Sequence, residues 1–208
     1  EVLGGNPIDY LKPIYEKYSR KPIMISEGAV SHYSYELKKD YSSWAVGEIG
    51  NMYGFMPRMF PQVKAITYFN LNKQTTNYDN QNNNYNLADS KIVDDAYKRM
   101  ISNNYFLTTL TLDSKNDTIK TQYLPVTKFK KLSGKHNAFV YAKLTLGKQP
   151  YYVAVYQGKK KLGESYAQPW NMKIDFSSVN PKQQLTLIAF DKNFKRLATK
   201  NVTVSFKK

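Results

Sequence analysis

The side chain best placed to do chemistry is Glu27, a carboxylate that follows the short apolar run Pro22-Ile23-Met24-Ile25-Ser26 and precedes Gly28. Pro22 lacks an N–H and suits the first residue of a strand. Ile23, Met24 and Ile25 make a run too short for a helix, and they read as a strand buried on both faces. Glu27 then falls where that strand runs out, and Gly28 lets the backbone turn. In a parallel α/β barrel, this end of a strand carries the catalytic groups. The bland alternative is a solvated loop carboxylate, or one paired with a nearby lysine. His32, Tyr33 and Tyr35 follow in a polar, aromatic loop and could line a ligand site; His32 is expected to be exposed. The chain has no cysteine and two histidines, His32 and His136, far apart in sequence. Disulfides and thiolate chemistry are therefore excluded, and no metal site or cofactor is expected. No phosphate-cradling glycine loop or Ser-His-Asp set is present.

The elements that must hold Glu27 alternate. Asn6-Pro7 starts a helix as cap and first-turn proline, with Ile8, Leu11, Ile14 and Tyr18 at helical spacing and Pro13 threatening a kink. The strand at Pro22–Ser26 comes next. Asp40 or Ser42 can cap a second helix whose stripe is Trp44, Ile49, Met52, Tyr53 and Met56. Val63–Asn70 reads as a second strand, placing Tyr68 and Asn70 at its end. Helix, strand, helix, strand implies adjacent parallel strands. The Asn- and Gln-rich tract from Lys73 to Asn86 reads as a mobile surface loop or, given its position after a strand, a lid. A third helix from Asp89 or Ser90 should face Ile92, Val93, Tyr97, Met100 and Ile101 inward.

After Asn104 the period changes to two. Phe139–Leu144, Tyr151–Tyr156, Met172–Phe176, Leu185–Phe190 and Val202–Phe206 alternate, separated by turn signals that include Gly158-Lys159 and Asn180-Pro181. Short strands at that spacing indicate an antiparallel β-sandwich. The charge divides at the same place. Residues 105–208 hold 19 Lys and Arg against 5 Asp and Glu, a net of +14, while residues 1–104 hold 12 against 11. The expected domains are therefore 1–104 and 105–208. The basic one should meet an anionic polymer through Lys159, Lys160 and Lys161 on a turn and through Lys128, Lys130 and Lys131. No nucleic-acid motif accompanies the charge. No apolar run is long enough to span a membrane. The first residues show no signal-peptide pattern and no Met, so the chain is expected to begin within a longer protein.

Residues 7–100 resemble the C-terminal part of a family 26 glycoside hydrolase barrel, the β-mannanase-like group. The resemblance is carried by Tyr15-Glu16-Lys17-Tyr18, Lys21-Pro22-Ile23-Met24-Ile25-Ser26-Glu27, Trp44, and Phe60-Pro61-Gln62-Val63-Lys64-Ala65-Ile66-Thr67-Tyr68-Phe69-Asn70. It implies that 22–27 and 63–70 are strands seven and eight of a (β/α)8 barrel and that Glu27 takes the nucleophile position. It also implies that Tyr68 and Asn70 meet the sugar, with core packing the alternative for Tyr68 from strand alternation; His32, Tyr33 and Tyr35 follow the nucleophile position and could line subsites. A retaining glycosidase needs a second carboxyl group roughly 5–5.5 Å from the nucleophile. In the family that acid/base comes from strand four, which these residues do not contain; Glu36, Asp40 and Glu48 fall where the family places none. The second half is similar to bacterial immunoglobulin-like modules, on Pro169–Phe176, Gln184–Asp191 and Val202–Phe206.

The expectation is thus α/β plus all-β: the C-terminal portion of a (β/α)8 barrel, then an antiparallel Ig-like β-sandwich. Function follows as the end of a secreted, extracellular or cell-surface hydrolase of a β-linked polysaccharide, inactive until the missing N-terminal part of the barrel is supplied. The alternative is a non-catalytic wall-binding protein with a degenerate barrel and a basic sandwich that holds an anionic cell-wall polymer.

Overall fold

The computed structural model describes residues 5–75, 82–107, 123–144, 148–181 and 183–204. They fall into two compact units, Glu1–Gln122 and Tyr123–Lys208. The first mixes helices with short strands; the second is built from antiparallel strands.

In the first unit, α1 spans Pro7–Tyr18. The Asn6 side chain accepts from the Ile8 N–H at 2.9 Å, and Pro13 is accommodated inside the helix. Its buried side is shorter than its apolar stripe: Ile8 and Leu11 are buried, whereas Ile14 and Tyr18 are exposed. Strand β1 covers Ile23–Gly28 and β4 covers Val63–Tyr68, and the two pair in parallel from Ile23↔Val63 to Gly28↔Tyr68. This corrects two expectations. β1 is not buried on both faces, since Met24 is 62% exposed and the described sheet has only these two strands. Glu27 and Gly28 also lie within the strand, not beyond it. Gly28 makes no turn; a Cβ there would come within 3.1 Å of the Met52 sulfur, so its role is to let that side chain approach.

Between the two strands lie α2 (Ser42–Ile49), a π-helical segment (Gly50–Phe55) and α3 (Met56–Met59). A single α-helix was expected from the spacing of Trp44 to Met56. Gly47, Gly50 and Gly54 weaken α preference across the middle, and the segment widens into a π turn, a form confined to short pieces. All six π residues are buried, and Ile49, Met52, Tyr53 and Met56 join the core; Trp44 is only half-buried. Helix α4 (Lys91–Ile101) packs on α2 through Val93, Ala96 and Met100, and Ile92 faces solvent. The Ser90 hydroxyl does not cap α4. It bonds the Ser42 hydroxyl at 3.0 Å and ties the starts of the two helices together.

In the second unit, β6 (Lys135–Phe139) pairs with β9 (Asn171–Asp175). A second sheet runs β11-β10-β7-β8, with β7 at Tyr152–Gln157, β8 at Lys160–Ser165, β10 at Leu185–Phe190 and β11 at Arg196–Val202. Gly163 of β8 meets Met172 and Ile174 of β9, where a Cβ would sit 3.0 Å from the Met172 sulfur, so the two sheets touch there. The strand expected at Phe139–Leu144 instead lies at Lys135–Phe139. Its partner β9 begins at Asn171; beyond Phe139 the regular pairing gives way to a longer bond from the Val140 N–H to the Trp170 carbonyl at 3.4 Å, where Trp170 has φ 46. The strand expected at Val202–Phe206 is β11, which ends where that range begins; residues 205 and 206 lie outside the described residues.

Glu48 supplies a test of the first core. The residue is only 7% exposed, Oε1 accepts from Asn51 Nδ2 at 3.1 Å, and Oε2 has no partner among the described residues. Burial pushes its carboxyl above the usual range, with the Asn51 bond opposing and Asp9 adding to the rise. A raised folded pKa means the stability contribution of the protonated form is lost as pH climbs through it. Glu48→Gln is therefore expected to raise the melting temperature at pH 7, and the gain should vanish below about pH 4.5, the ordinary value. Thermal melts across that range check it.

Candidate functional site

The parallel register brings the carboxyl ends of β1 and β4 together, and the chain after each strand then pairs with the other. Phe69 donates its N–H to the Gly28 carbonyl at 3.1 Å. Beyond that point β2 (Tyr33–Ser34) pairs with β3 (Lys39–Asp40) on one side and with β5 (Asn83–Asn84) on the other. The result is a small antiparallel sheet made from the loop after β1 and the loop after β4. Ligand sites of parallel α/β folds are built from loops at this end of the strands.

Glu27 sits at this edge with its side chain exposed; among the described residues no hydrogen bond or ion pair engages its carboxylate. Of the acidic residues that follow, Glu36 and Asp40 are engaged by loop groups, and Glu48 is engaged through one oxygen. Glu36 Oε2 accepts from Asn82 Nδ2 at 3.0 Å. Asp40 Oδ1 accepts from the Ser42 N–H at 2.6 Å and opens α2, and the bonds from Ser42 hold its carboxyl below the usual range. Glu48 is buried in the core.

The expected contact residues divide. Tyr33 is half-buried with its ring edge-on to Tyr35 at 5.0 Å. Tyr68 turns into an aromatic cluster with Tyr97 at 5.4 Å and Tyr53 at 6.5 Å. Burial pushes its phenol up to about 12, while its hydroxyl donates to the Val30 carbonyl at 3.5 Å. Asn70 is exposed, and its Oδ1 accepts from the Leu87 N–H at 2.8 Å, bracing the loop. His32 is corrected outright: it is 4% exposed. Its Nε2 bonds the Asn86 carbonyl at 3.0 Å, its N–H donates to the Asn84 carbonyl, and its own carbonyl accepts from Tyr41. The imidazole ties one loop to the other.

The Asn-rich tract differs from its expected reading as a surface loop. Residues 76–81, including Tyr78, lie outside the described residues. From Asn82 onward the side chains form a closed network. Asp89 Oδ2 accepts from Asn72 Nδ2 at 3.0 Å and Asn84 Nδ2 at 2.8 Å, and its Oδ1 accepts from Asn86 Nδ2 at 3.0 Å. The Tyr35 hydroxyl accepts from Asn72 at 2.8 Å and Asn84 at 3.2 Å. Asn82 Oδ1 accepts from the Ser34 hydroxyl and the Glu36 N–H. Buried amides must be satisfied in this way, and Asn84, at 4% exposure, has its Nδ2 and Oδ1 both used. The run Asn82-Asn83-Asn84 carries no alternation in sequence that marks Asn84 as the buried member; the pairing of β5 with β2 decides it.

The six lysines of the second unit are all exposed. Lys128 ends a single 3-10 turn at Val126–Lys128, with Lys130 and Lys131 just beyond. Lys159 occupies the turn after Gly158, but Lys160 and Lys161 already belong to β8, and Lys161 is paired with Glu164 at 2.8 Å. Among the described residues there is no group of three or more His, Asp and Glu that could hold a metal ion. No described helix is long and apolar enough to cross a membrane. No family model matches the chain, and comparisons with curated proteins and with solved structures likewise give no match.

The Asp89 network yields a prediction. Asp89→Ala leaves three amides short of a charged acceptor and should cost about 2 kcal/mol. Hydrogen exchange should then accelerate at the His32 and Tyr85 amides, which bond the carbonyls of Asn84 and Leu71, while α4 stays protected.

Proposed function

We propose that residues 1–104 form the C-terminal end of a (β/α)8 glycoside hydrolase barrel, with β1 and β4 as its strands seven and eight and Glu27 as the nucleophile of a retaining mechanism on a β-linked polysaccharide. The observation that carries the proposal is the open carboxylate of Glu27 at the carboxyl end of a parallel strand pair whose following loops build a shared sheet. Glu27 attacks the anomeric carbon while a carboxyl group from another strand protonates the leaving oxygen, and water then releases the glycosyl group. The engagement of Glu36 and Asp40 and the burial of Glu48 in the core support an acid/base drawn from strands that complete the barrel around the exposed Met24 face. Tyr33 and Asn70 lie on the loops that would frame the sugar; Tyr68 and His32 would position them. The second unit is read as an Ig-like module that holds an anionic cell-wall polymer through Lys128, Lys130, Lys131, Lys159 and Lys160, which suits a secreted protein.

Two measurements test this reading. In the intact parent protein, Glu27→Gln is expected to lower kcat by roughly a thousandfold or more without changing the melting temperature; unchanged turnover removes Glu27 from the mechanism. Should the parent show no glycosidase activity with Glu27 in place, the non-catalytic wall-binding reading takes over. Binding of the chain to purified cell wall should weaken steeply with salt, and salt-insensitive binding rules out the electrostatic role.

A further inference from the structure

We propose that Tyr151, Tyr166 and Phe194 of the second unit form a docking platform for an acidic glycan, a pyranose polymer bearing carboxylates. It draws on the proposed function only for the basic charge of this unit and is independent of Glu27.

The register puts three separate segments at one end of the four-stranded sheet. Tyr152 opens β7 opposite Phe190, the last residue of β10, while Val153 faces Ser165, the last residue of β8. Tyr151, Tyr166 and the β10–β11 turn with Phe194 therefore converge. The rings meet edge-on, Tyr151 to Tyr166 at 6.0 Å and Tyr151 to Phe194 at 6.4 Å, yet they remain 50%, 52% and 59% exposed. Beneath them the buried Tyr152 stacks on Phe190 at 4.4 Å and on Tyr166 at 4.9 Å, which fixes the platform before any ligand arrives.

Phe194 is held against its own backbone preference, at φ 61, a region where a bulky side chain is an outlier. Asp191 enforces the turn: its Oδ1 accepts from the N–H groups of Asn193 at 2.9 Å and Lys195 at 2.8 Å. Asparagine or glycine would occupy that position with less strain, so what the turn gains from Phe194 is an outward ring. Strain maintained at an exposed aromatic is a mark of binding sites.

The chemistry around the rings selects the ligand. Exposed aromatic faces with phenol edges match a pyranose, which offers a flat C–H face rimmed by hydroxyls. Gln149 and Gln168, two residues in sequence from Tyr151 and Tyr166, bond each other, Gln168 Nε2 donating to Gln149 Oε1 at 3.5 Å, and link the segments that carry the two rings. Within three sequence positions of Tyr151, Tyr166 and Phe194 the charged residues are Lys148, Lys192, Lys195 and Arg196, against Glu164 and Asp191. Both acids are already engaged, Glu164 by Lys161 and Asp191 by its turn. The balance favours carboxylates on the sugar.

The test measures binding of the full chain to polymannuronate, neutral mannan and inorganic polyphosphate, with Tyr166→Ala and Phe194→Asn as variants. Expected are preference for polymannuronate over mannan, weakening by about tenfold or more in both variants, unaltered polyphosphate binding, and a Phe194→Asn melting temperature at or above the parent's. Absence of polymannuronate binding overturns the proposal. So does Tyr166→Ala binding polymannuronate like the parent, which would leave charge alone as the cause. A concentration-dependent dimer abolished by both variants overturns it too, assigning the rings to a second copy.

Discussion

The parallel backbone pairing of β1 with β4 is the constraint from which the first unit follows. Parallel strands cannot be joined by a tight turn, so the chain between them must travel through α2, the π segment and α3 before returning. The same pairing sets the ends of both strands side by side, and that closeness lets two loops remote in sequence become one sheet. His32 and Asp89 then close the join, one by a ring nitrogen to a carbonyl and the other by three amides. Among the described residues, Glu36 and Asp40 are hydrogen-bonded within the loops, whereas no hydrogen bond or ion pair engages the Glu27 carboxylate.

How much of this was legible depended on where a residue sits relative to the buried centre. β10 was read to the residue and β7 within one, because central strands covered on both sides show their apolar pattern plainly. β8 and β11 were missed or shifted. Both are edge strands rich in lysine, arginine and polar residues, the composition that keeps an edge from pairing with other chains, and that composition erases alternation. Lys160 and Lys161 looked like a turn for the same reason.

In the first unit, caps and punctuation were readable: Asn6 caps α1, and Glu27 lies near the end of its strand. The error at β1 came from treating an apolar run as proof of burial on both faces, when one described neighbour pairs with it. The π segment and the polar network escaped because each depends on tertiary fit. A glycine after an apolar run suits a turn, whereas Gly28 lies in the strand, where a Cβ would press on the Met52 side chain. His32 was placed in solvent because a loop histidine carries no sequence mark of the carbonyl it will bond.

The central claim is that Glu27 is a nucleophile, and covalent trapping tests it most directly. The intact parent protein would be incubated with an activated 2-deoxy-2-fluoro glycoside, which slows breakdown of a glycosyl-enzyme, and then digested and sequenced by mass spectrometry. The account predicts one glycosyl adduct, on Glu27 within the tryptic peptide that begins at Lys21. An adduct on a different carboxylate, or turnover with no covalent intermediate, contradicts it.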